Sequence, residues 1–427
     1  MDPAASRRLA VAFSGGSDSL ATLVAAKSWA DRVGREVVAL TVDHRLNPDS
    51  ARWTADAQRT ALALGAGWVG LSWTGDKPIT GLPAAARQAR HRLLAQGARE
   101  VDASVILFGH TADDREESEL IRVDTPGLGY LREWSASPVW PEGRDVFVMR
   151  PLLQARRADL RTWLTELGLG WLDDPANTDP RYARTRARAT LAMGGTGGGA
   201  PIDEVNDQDL ARLLEQVTVT DDGRLILARD IVREAPPGSL RRLLGAAVLC
   251  ASGGVTPARG AVLARLVAGL VSAPAFTATL CGARITAEKL AVVFAREPGE
   301  AQRRGASASP MTLTKGTGQI FDGRFELVAL APGLRATPLA GRLGRLQPVD
   351  AQAVRRLPGY ARGALPAVLD EEGGVSLPFP FGGGPASARS LVGRRFAQAC
   401  GAVRNEAEIN ARLDLMAPGL SPPYVGR

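Results

Sequence analysis

Apolar positions in the first half of the chain follow two periods in alternation. Short apolar runs at 9–13, 37–42, 68–73 and 105–109 are separated by longer segments, 19–33, 50–64 and 82–99, whose apolar residues recur three and four apart. The runs predict strands and the segments predict helices. Leu20, Leu23 and Val24 share one face of the first helix, and Gly34 and Gly65 supply helix stops. A further helix is expected to begin near Asp113. After an irregular stretch rich in Pro, Gly and Trp, 146–149 predicts another strand leading into Pro151, and 159–167 one more helix ended by Gly168. Strand and helix taken in turn imply an α/β domain with a doubly wound parallel sheet.

The pattern breaks at the Gly-rich stretch 194–199, which reads as a linker. Beyond it, helical patterns at 240–249 and 261–271 are followed by alternating segments near 276–285, and from Gly316 onward the text is Pro/Gly-rich with short strands such as Phe325–Ala329. These changes divide the chain into a sheet domain at 1–192, a mostly helical domain at 200–310 and a small basic α+β module at 311–427. A length of 427 residues, beyond the size at which one core stops growing, supports such a division.

Charge adds a partner. The formal net charge is +7, and residues 331–427 carry 12 Arg against 7 Asp and Glu, a balance that favours a polyanion. Such a run is equally the composition of a solvated face. The compact group Arg181, Arg184, Arg186 and Arg188 contains no acid and reads as a phosphate contact. Cys250, Cys281 and Cys400 stand far apart, so no C-x-x-C pair exists for zinc or an iron–sulfur cluster, and isolated thiols fit a reducing cytosol as small buried hydrophobes. The N-terminus lacks the apolar core of a signal peptide, and no apolar stretch reaches the roughly 20 residues of a membrane span. The expectation is a cytoplasmic protein without membrane contact.

The chemistry is concentrated in Ser14-Gly15-Gly16-Ser17-Asp18-Ser19, between the first strand and the first helix. A strand-to-helix turn aims unpaired N–H groups and the positive helix end outward, which makes an anion site. Gly15 and Gly16 let the backbone approach a phosphate, and three serine hydroxyls add donors. The bland alternative is a turn whose serine only caps the helix. Neither G-x-x-x-x-G-K-S/T nor G-x-G-x-x-G is present. In a doubly wound sheet, ligand groups gather where strands end, which points to Asp43 and His44, to His110, Asp113, Asp114 and Glu117, and to Arg150. Carboxylates there can hold Mg²⁺ against phosphates, or merely cap the helix that follows.

The S-G-G-S-D-S string resembles the signature of the PP-loop (N-type) ATP pyrophosphatases, a Rossmann-like fold that cleaves ATP between the α and β phosphates. Further boxes are similar, in order over 9–190, to those of tRNA(Ile)-lysidine synthetases: Val42-Asp43-His44-Arg45-Leu46, the helix 85–91 with Arg87, Arg90 and His91 where the family has Tyr, His110-Thr111-Ala112-Asp113-Asp114, Arg150-Pro151-Leu152-Leu153, and the 171–188 segment. Departures fall at Arg45, Asn47 and Ser118, and also at Thr185 and the altered 122–131 loop, of which the last two bear on substrate positioning more than on ATP binding.

The resemblance implies a ligase that uses ATP and Mg²⁺, with Asp18, Asp113, Asp114 and Arg188 catalytic and Asp18 and Asp114 holding the metal. It implies ATP contacts from Ser14, Gly15, Gly16, Ser17, Asp18, Ser19, Asp43 and His110, and tRNA contacts from Arg87, Arg90, Arg184 and Arg188. Trp73, Trp134 and Trp140 are candidates for base stacking. The implied partners are a tRNA(Ile) with a CAU anticodon and free lysine, and a homodimer is left open. Two rivals stand beside this reading. Another PP-loop enzyme is disfavoured by the missing cysteine pair of thiolases and the missing glutaminase Cys of amide synthetases, and a silent RNA-binding relative is supported only by the altered loop.

Overall fold

The computed structural model describes residues 1–5, 7–124, 131–173, 183–193, 207–299 and 310–409. The chain forms two compact units, Met1–Ile202 with Val403–Ile409, and a second built mainly from Asp203–Ala402.

The first unit is a six-stranded sheet in the order β3-β2-β1-β4-β6-β5. Its strands are β1 (Arg8–Ala12), β2 (Val37–Asp43), β3 (Gly67–Ser72), β4 (Ala103–Leu107), β5 (Trp134–Ala136) and β6 (Phe147–Met149). All neighbours run parallel except β5, which pairs antiparallel with β6. Leu9, Ala10, Val11 and Ala12 are all buried, because a central parallel strand is covered on both faces and must be apolar throughout. Ala10 and Ala12 pack with Leu94 and Ala98 of α3 (Leu82–Glu100), and by the two-residue period Leu9 and Val11 face the other side. The remaining helices of this unit are α1 (Ser17–Val33), α2 (Ser50–Ala63), α4 (Ala112–Asp124), α5 (Arg157–Glu166) and α6 (Ala183–Ala192). From β1 the chain steps through β2 to β3 on one side and places β4 on the other. Strand order therefore reverses between β1 and β4, and a doubly wound sheet opens its ligand crevice at such a point.

The last piece of this unit comes from the far end of the sequence. Arg35 donates to both carboxylate oxygens of Glu406 at 2.8 and 2.9 Å and to the carbonyls of Arg7 and Asp2. Glu406 also accepts from the Asp2 amide at 3.0 Å, and both charged side chains are only 3% exposed. Trp134 donates its indole N–H to the Val403 carbonyl and stacks on Phe147, so it is committed to packing.

In the second unit the region read as mostly helical also contains a five-stranded antiparallel sheet of Val217–Val219, Leu225–Ala228, Ala291–Arg296, Ala283–Ala287 and Phe276–Leu280. Helices Pro237–Ala251 and Gly260–Ser272 pack in its core, together with Val392, Phe396 and Cys400 from the helix Val392–Cys400. Residues on both sides of 310 thus contribute to one hydrophobic core. Cys250 and Cys400 are buried as expected of small hydrophobes, whereas Cys281 is exposed. Among the described residues no helix is long and apolar enough to cross a membrane.

Candidate active site

The turn that follows β1 closes on itself before it offers anything to a ligand. Ser19 Oγ donates to the Gly16 carbonyl at 3.0 Å and accepts from the Ser14 amide at 3.2 Å, while Ser17 Oγ donates to Asp18 Oδ1 at 3.1 Å. Gly15 has φ +86°, a left-handed value, and its carbonyl accepts the Leu172 amide at 2.9 Å. A Cβ on Gly15 would lie 2.6 Å from Leu172 Cδ1, which a leucine side chain can yield by turning, so it is the left-handed backbone that calls for glycine.

Across the crevice, β4 delivers Gly109 and His110 and then the acidic start of α4. Thr111 and Asp114 form a reciprocal cap: Asp114 Oδ2 accepts from the Thr111 amide at 2.9 Å and from its hydroxyl at 3.0 Å. The capping role weighed from sequence is therefore real for Asp114, yet the same residue also lines the central cavity. Asp113 turns elsewhere and accepts the Arg157 amide at 2.9 Å, docking the start of α5 onto α4. His110 Nδ1 accepts from Arg150 Nε at 3.0 Å; a guanidinium has no lone pair to give, so the ring proton is assigned to Nε2. Arg150 is buried, and burial together with Arg87 lowers its pKa to about 10.

Arg157 joins the two sides. Its Nε meets Asp18 Oδ2 at 2.9 Å, Nη2 meets Asp114 Oδ2 at 3.4 Å and Nη1 meets Glu117 Oε1 at 3.5 Å. Burial works against its charge, but the hydrogen bond and charge of Asp18, then Asp114 and Glu117, outweigh it and raise its pKa. Glu117, almost fully buried, also takes Arg188 Nε at 2.6 Å. Arg161, one turn further along α5, reaches Ser17 Oγ at 3.3 Å and Asp173 at 3.1 Å.

Two adjoining cavities result. The larger, about 600 Å³, is lined by the Ser14–Ser19 turn, His110 and Asp114, and by Arg90, Arg157, Arg161 and Arg188. The smaller, about 330 Å³, has a mixed wall, with Leu40, Val42, Trp53 and Leu94 beside Ser14, His44 and Arg90. Ala12, Ser14, Gly16, Arg90 and Leu172 line both. Burial, then Arg90, hold the His44 imidazole below its usual pKa.

Of the residues singled out in sequence, Ser14, Gly16, Ser17, Asp18, Ser19, His110, Asp114, Arg90 and Arg188 meet around the larger cavity. Asp43 lines neither cavity and instead accepts the Arg45 amide at 2.7 Å. Gly15, Asp113 and Arg87 line neither. The Arg184 side chain, Arg181 and most of the 122–131 loop fall outside the described residues. Trp73 is buried, with Lys77 over its face, so its ring is not available for stacking. Sequence reasoning passed over Arg157, Arg161 and Gly109. The only signal for the two arginines was their position directly after Arg150-Pro151-Leu152-Leu153.

His91 supports the site from below, stacked on Phe108 at 5.4 Å, and Phe108 stacks in turn on His110. Burial, then Arg87, Arg90 and Arg150, lower its pKa to about 3. The folded His91 is therefore neutral where an unfolded one, with a pKa near 6.5, takes up a proton, so its contribution lowers stability progressively as pH falls from about 6.5 toward 3 and is absent above. His91→Tyr keeps an aromatic ring on Phe108 and cannot gain that charge. Urea midpoints at pH 7.5 and 5 should fall less in this variant than in the parent; equal falls would assign the acid sensitivity to other groups.

A glycine–serine turn at the switch point of a parallel sheet, facing an acidic helix start, defines a PP-loop nucleotide-binding enzyme, and the PP-loop domain family matches residues 1–193. Similarity extends over the rest of the chain. A tRNA(Ile)-lysidine synthase of Caulobacter vibrioides is 44% identical over 413 residues, covering 95% of this chain and 96% of its own. The protein of the same name from Hyphomonas neptunium is 38% identical over 317 residues, covering 70% and 85%. That of Rhizobium meliloti is 31% identical over 413 residues, covering 91% and 87%. The chain belongs to the tRNA(Ile)-lysidine synthase family.

Proposed function

We propose that the chain is an ATP-dependent tRNA-modifying ligase. It adenylylates the C2 oxygen of the wobble cytidine in a tRNA(Ile) with a CAU anticodon, and then couples free lysine at that carbon, changing the codon read from AUG to AUA. The observation that carries this reading is the pair of adjoining cavities: a smaller one, where Trp53, Leu40, Val42 and Leu94 offer apolar faces to a base, shares Ser14 and Gly16 with a larger polar one lined by hydroxyls, guanidinium groups and Asp18 and Asp114.

In the first step the cytidine oxygen bonds to the α phosphorus while the bond from that phosphorus to the bridging oxygen breaks, its electron pair leaving with pyrophosphate. In the second, the lysine amine attacks C2 and AMP departs with the oxygen. Charge spreads over phosphate oxygens in the first transfer, and positioned cations and N–H groups stabilise it. Ser14, Ser17, Ser19 and the start of α1 hold the phosphates, and His110 offers its Nε2–H from the facing strand. Arg157 fixes the spacing of Asp18, Asp114 and Glu117, and Glu117 orients Arg188. Asp113 acts as a positioning residue, through α5.

The donor set fits Mg²⁺. Asp18 and Asp114 converge on one guanidinium, a place that already favours positive charge. Among the described residues no group of three or more His, Cys, Asp or Glu surrounds a point. Two carboxylates completed by substrate phosphates and water are a common Mg²⁺ arrangement, and the ion supplies neutralisation of phosphate charge. Arg87, Arg90, Arg184 and Arg188 are assigned to the tRNA, whose anticodon bases must be splayed out to reach the cavity.

Pyrophosphate release from ATP should require tRNA(Ile) with a CAU anticodon, and should continue beyond a single turnover only when lysine is also present. Release that depends on a sulfide donor, or that proceeds with unrelated tRNAs, would refute the assignment.

A further inference from the structure

Four guanidinium groups line the phosphate cavity, and they are bound with very different firmness. Arg157 is divided among three carboxylates, Asp18, Asp114 and Glu117, two of them buried. Arg188 is tied at 2.6 Å to Glu117, which is 1% exposed, so moving it would leave a buried carboxylate with Arg157 at 3.5 Å in place of a close partner. Arg90 sits over Phe108 at the junction of the two cavities.

Arg161 differs. Its partners are a neutral hydroxyl, Ser17 Oγ at 3.3 Å, and Asp173 at 3.1 Å, whose side chain is 72% exposed. An exposed pair of this kind is weak and easily given up. The guanidinium carbon lies 5.6 Å from the Trp171 ring centroid, a cation–π contact that keeps the fork at the cavity wall without tying up its N–H donors. The fork already touches the phosphate turn at Ser17, on the side of the larger cavity away from the smaller one: neither Ser17 nor Arg161 lines the smaller cavity.

We infer that Arg161 is the residue that grips the β and γ phosphates of ATP and, after transfer, the departing pyrophosphate, exchanging Asp173 for phosphate oxygens. This rests on the ATP reading above and adds the division of labour within it. A planar fork suits two phosphate oxygens at once. Because the α phosphate lies nearer the base cavity, Arg161 has no contact with AMP, and its contribution is confined to the portion of ATP that leaves.

Equilibrium titration of the full chain with ATP, AMP and inorganic pyrophosphate separates the possibilities. In Arg161→Met, which keeps an unbranched side chain without the charge, the Kd values for pyrophosphate and ATP should rise about tenfold to a hundredfold, as expected for loss of a charge-assisted bond, with the Kd for AMP changed less than about twofold. Arg161→Lys should recover part of the loss. Unchanged pyrophosphate binding in Arg161→Met, or AMP binding weakened as much as pyrophosphate, would overturn the inference. Failure of the unaltered chain to bind ATP would overturn the ATP reading itself.

Discussion

Asp18→Ala should release no pyrophosphate above background, a loss of at least roughly 10²–10³-fold in turnover, while tRNA affinity stays within a few-fold. Asp18 stands at the first turn of α1 with one carboxylate oxygen on Ser17 and the other on Arg157. Its removal leaves the cavity short of a negative charge on the side where the phosphates enter. It does not orphan Arg157, which keeps Asp114 and Glu117, so the melting temperature should move little and the loss should appear in kcat. Pyrophosphate release and filter binding of tRNA measure the two quantities. A large loss of tRNA affinity would make Asp18 a structural residue, and near-normal turnover would remove it from the reaction.

The second large effect is expected from a methyl group. Gly109 lies where β4 ends, and a Cβ there would come 2.5 Å from the Asp18 carbonyl oxygen, 2.7 Å from its carbon and 2.8 Å from Thr22 Oγ1. Those atoms cannot swing aside: the carbonyl belongs to the first turn of α1 and accepts the Thr22 hydroxyl at 2.8 Å. Gly109→Ala must therefore push α1 from β4, at a cost of about 1–3 kcal/mol and several degrees in melting temperature. The displaced element carries Asp18 and the phosphate turn, and a shift near 1 Å in such a site costs about a hundredfold in rate. Calorimetry and pyrophosphate release should both register the change. A variant with unaltered melting and activity within twofold would mean that this packing has slack the distances deny.

Much of the first unit is legible in its sequence because two physical requirements leave plain marks. Central parallel strands must be apolar on both faces, and a phosphate turn needs small residues between strand and helix, so β1, β2, β4 and the 14–19 turn stand out. The strand β5, three residues long, leaves no periodicity to read. The antiparallel sheet of the second unit is hidden for a similar reason: Phe276–Leu280 and Ala283–Ala287 are short, and an alternating stretch beside apolar helices reads equally as their continuation. Within the site, charge type was readable but direction was not. Asp113 and Asp114 are neighbours on one helix, yet one caps α5 and the other lines the cavity, a difference set by where α5 docks. Arg157 and Arg161 look in sequence like the solvated face of a helix, and only the fold turns that face inward. Gly109 carries no local signature, because its need for a bare backbone comes from a helix some ninety residues earlier in the chain.

The buried pair of Arg35 and Glu406 sets an order of events during synthesis. Domains tend to fold as the chain emerges from the ribosome, N-terminal parts first. Arg35 leaves early, and until Glu406 follows, its guanidinium has the backbone carbonyls of Asp2 and Arg7 and the face of Trp29, but not this carboxylate, to answer it. The nucleotide-binding unit must then wait, with this carboxylate missing, until a residue 371 positions further along has been made. A nascent chain stalled before Val403 would hold every residue of the phosphate turn and still lack the acid that closes the unit behind it.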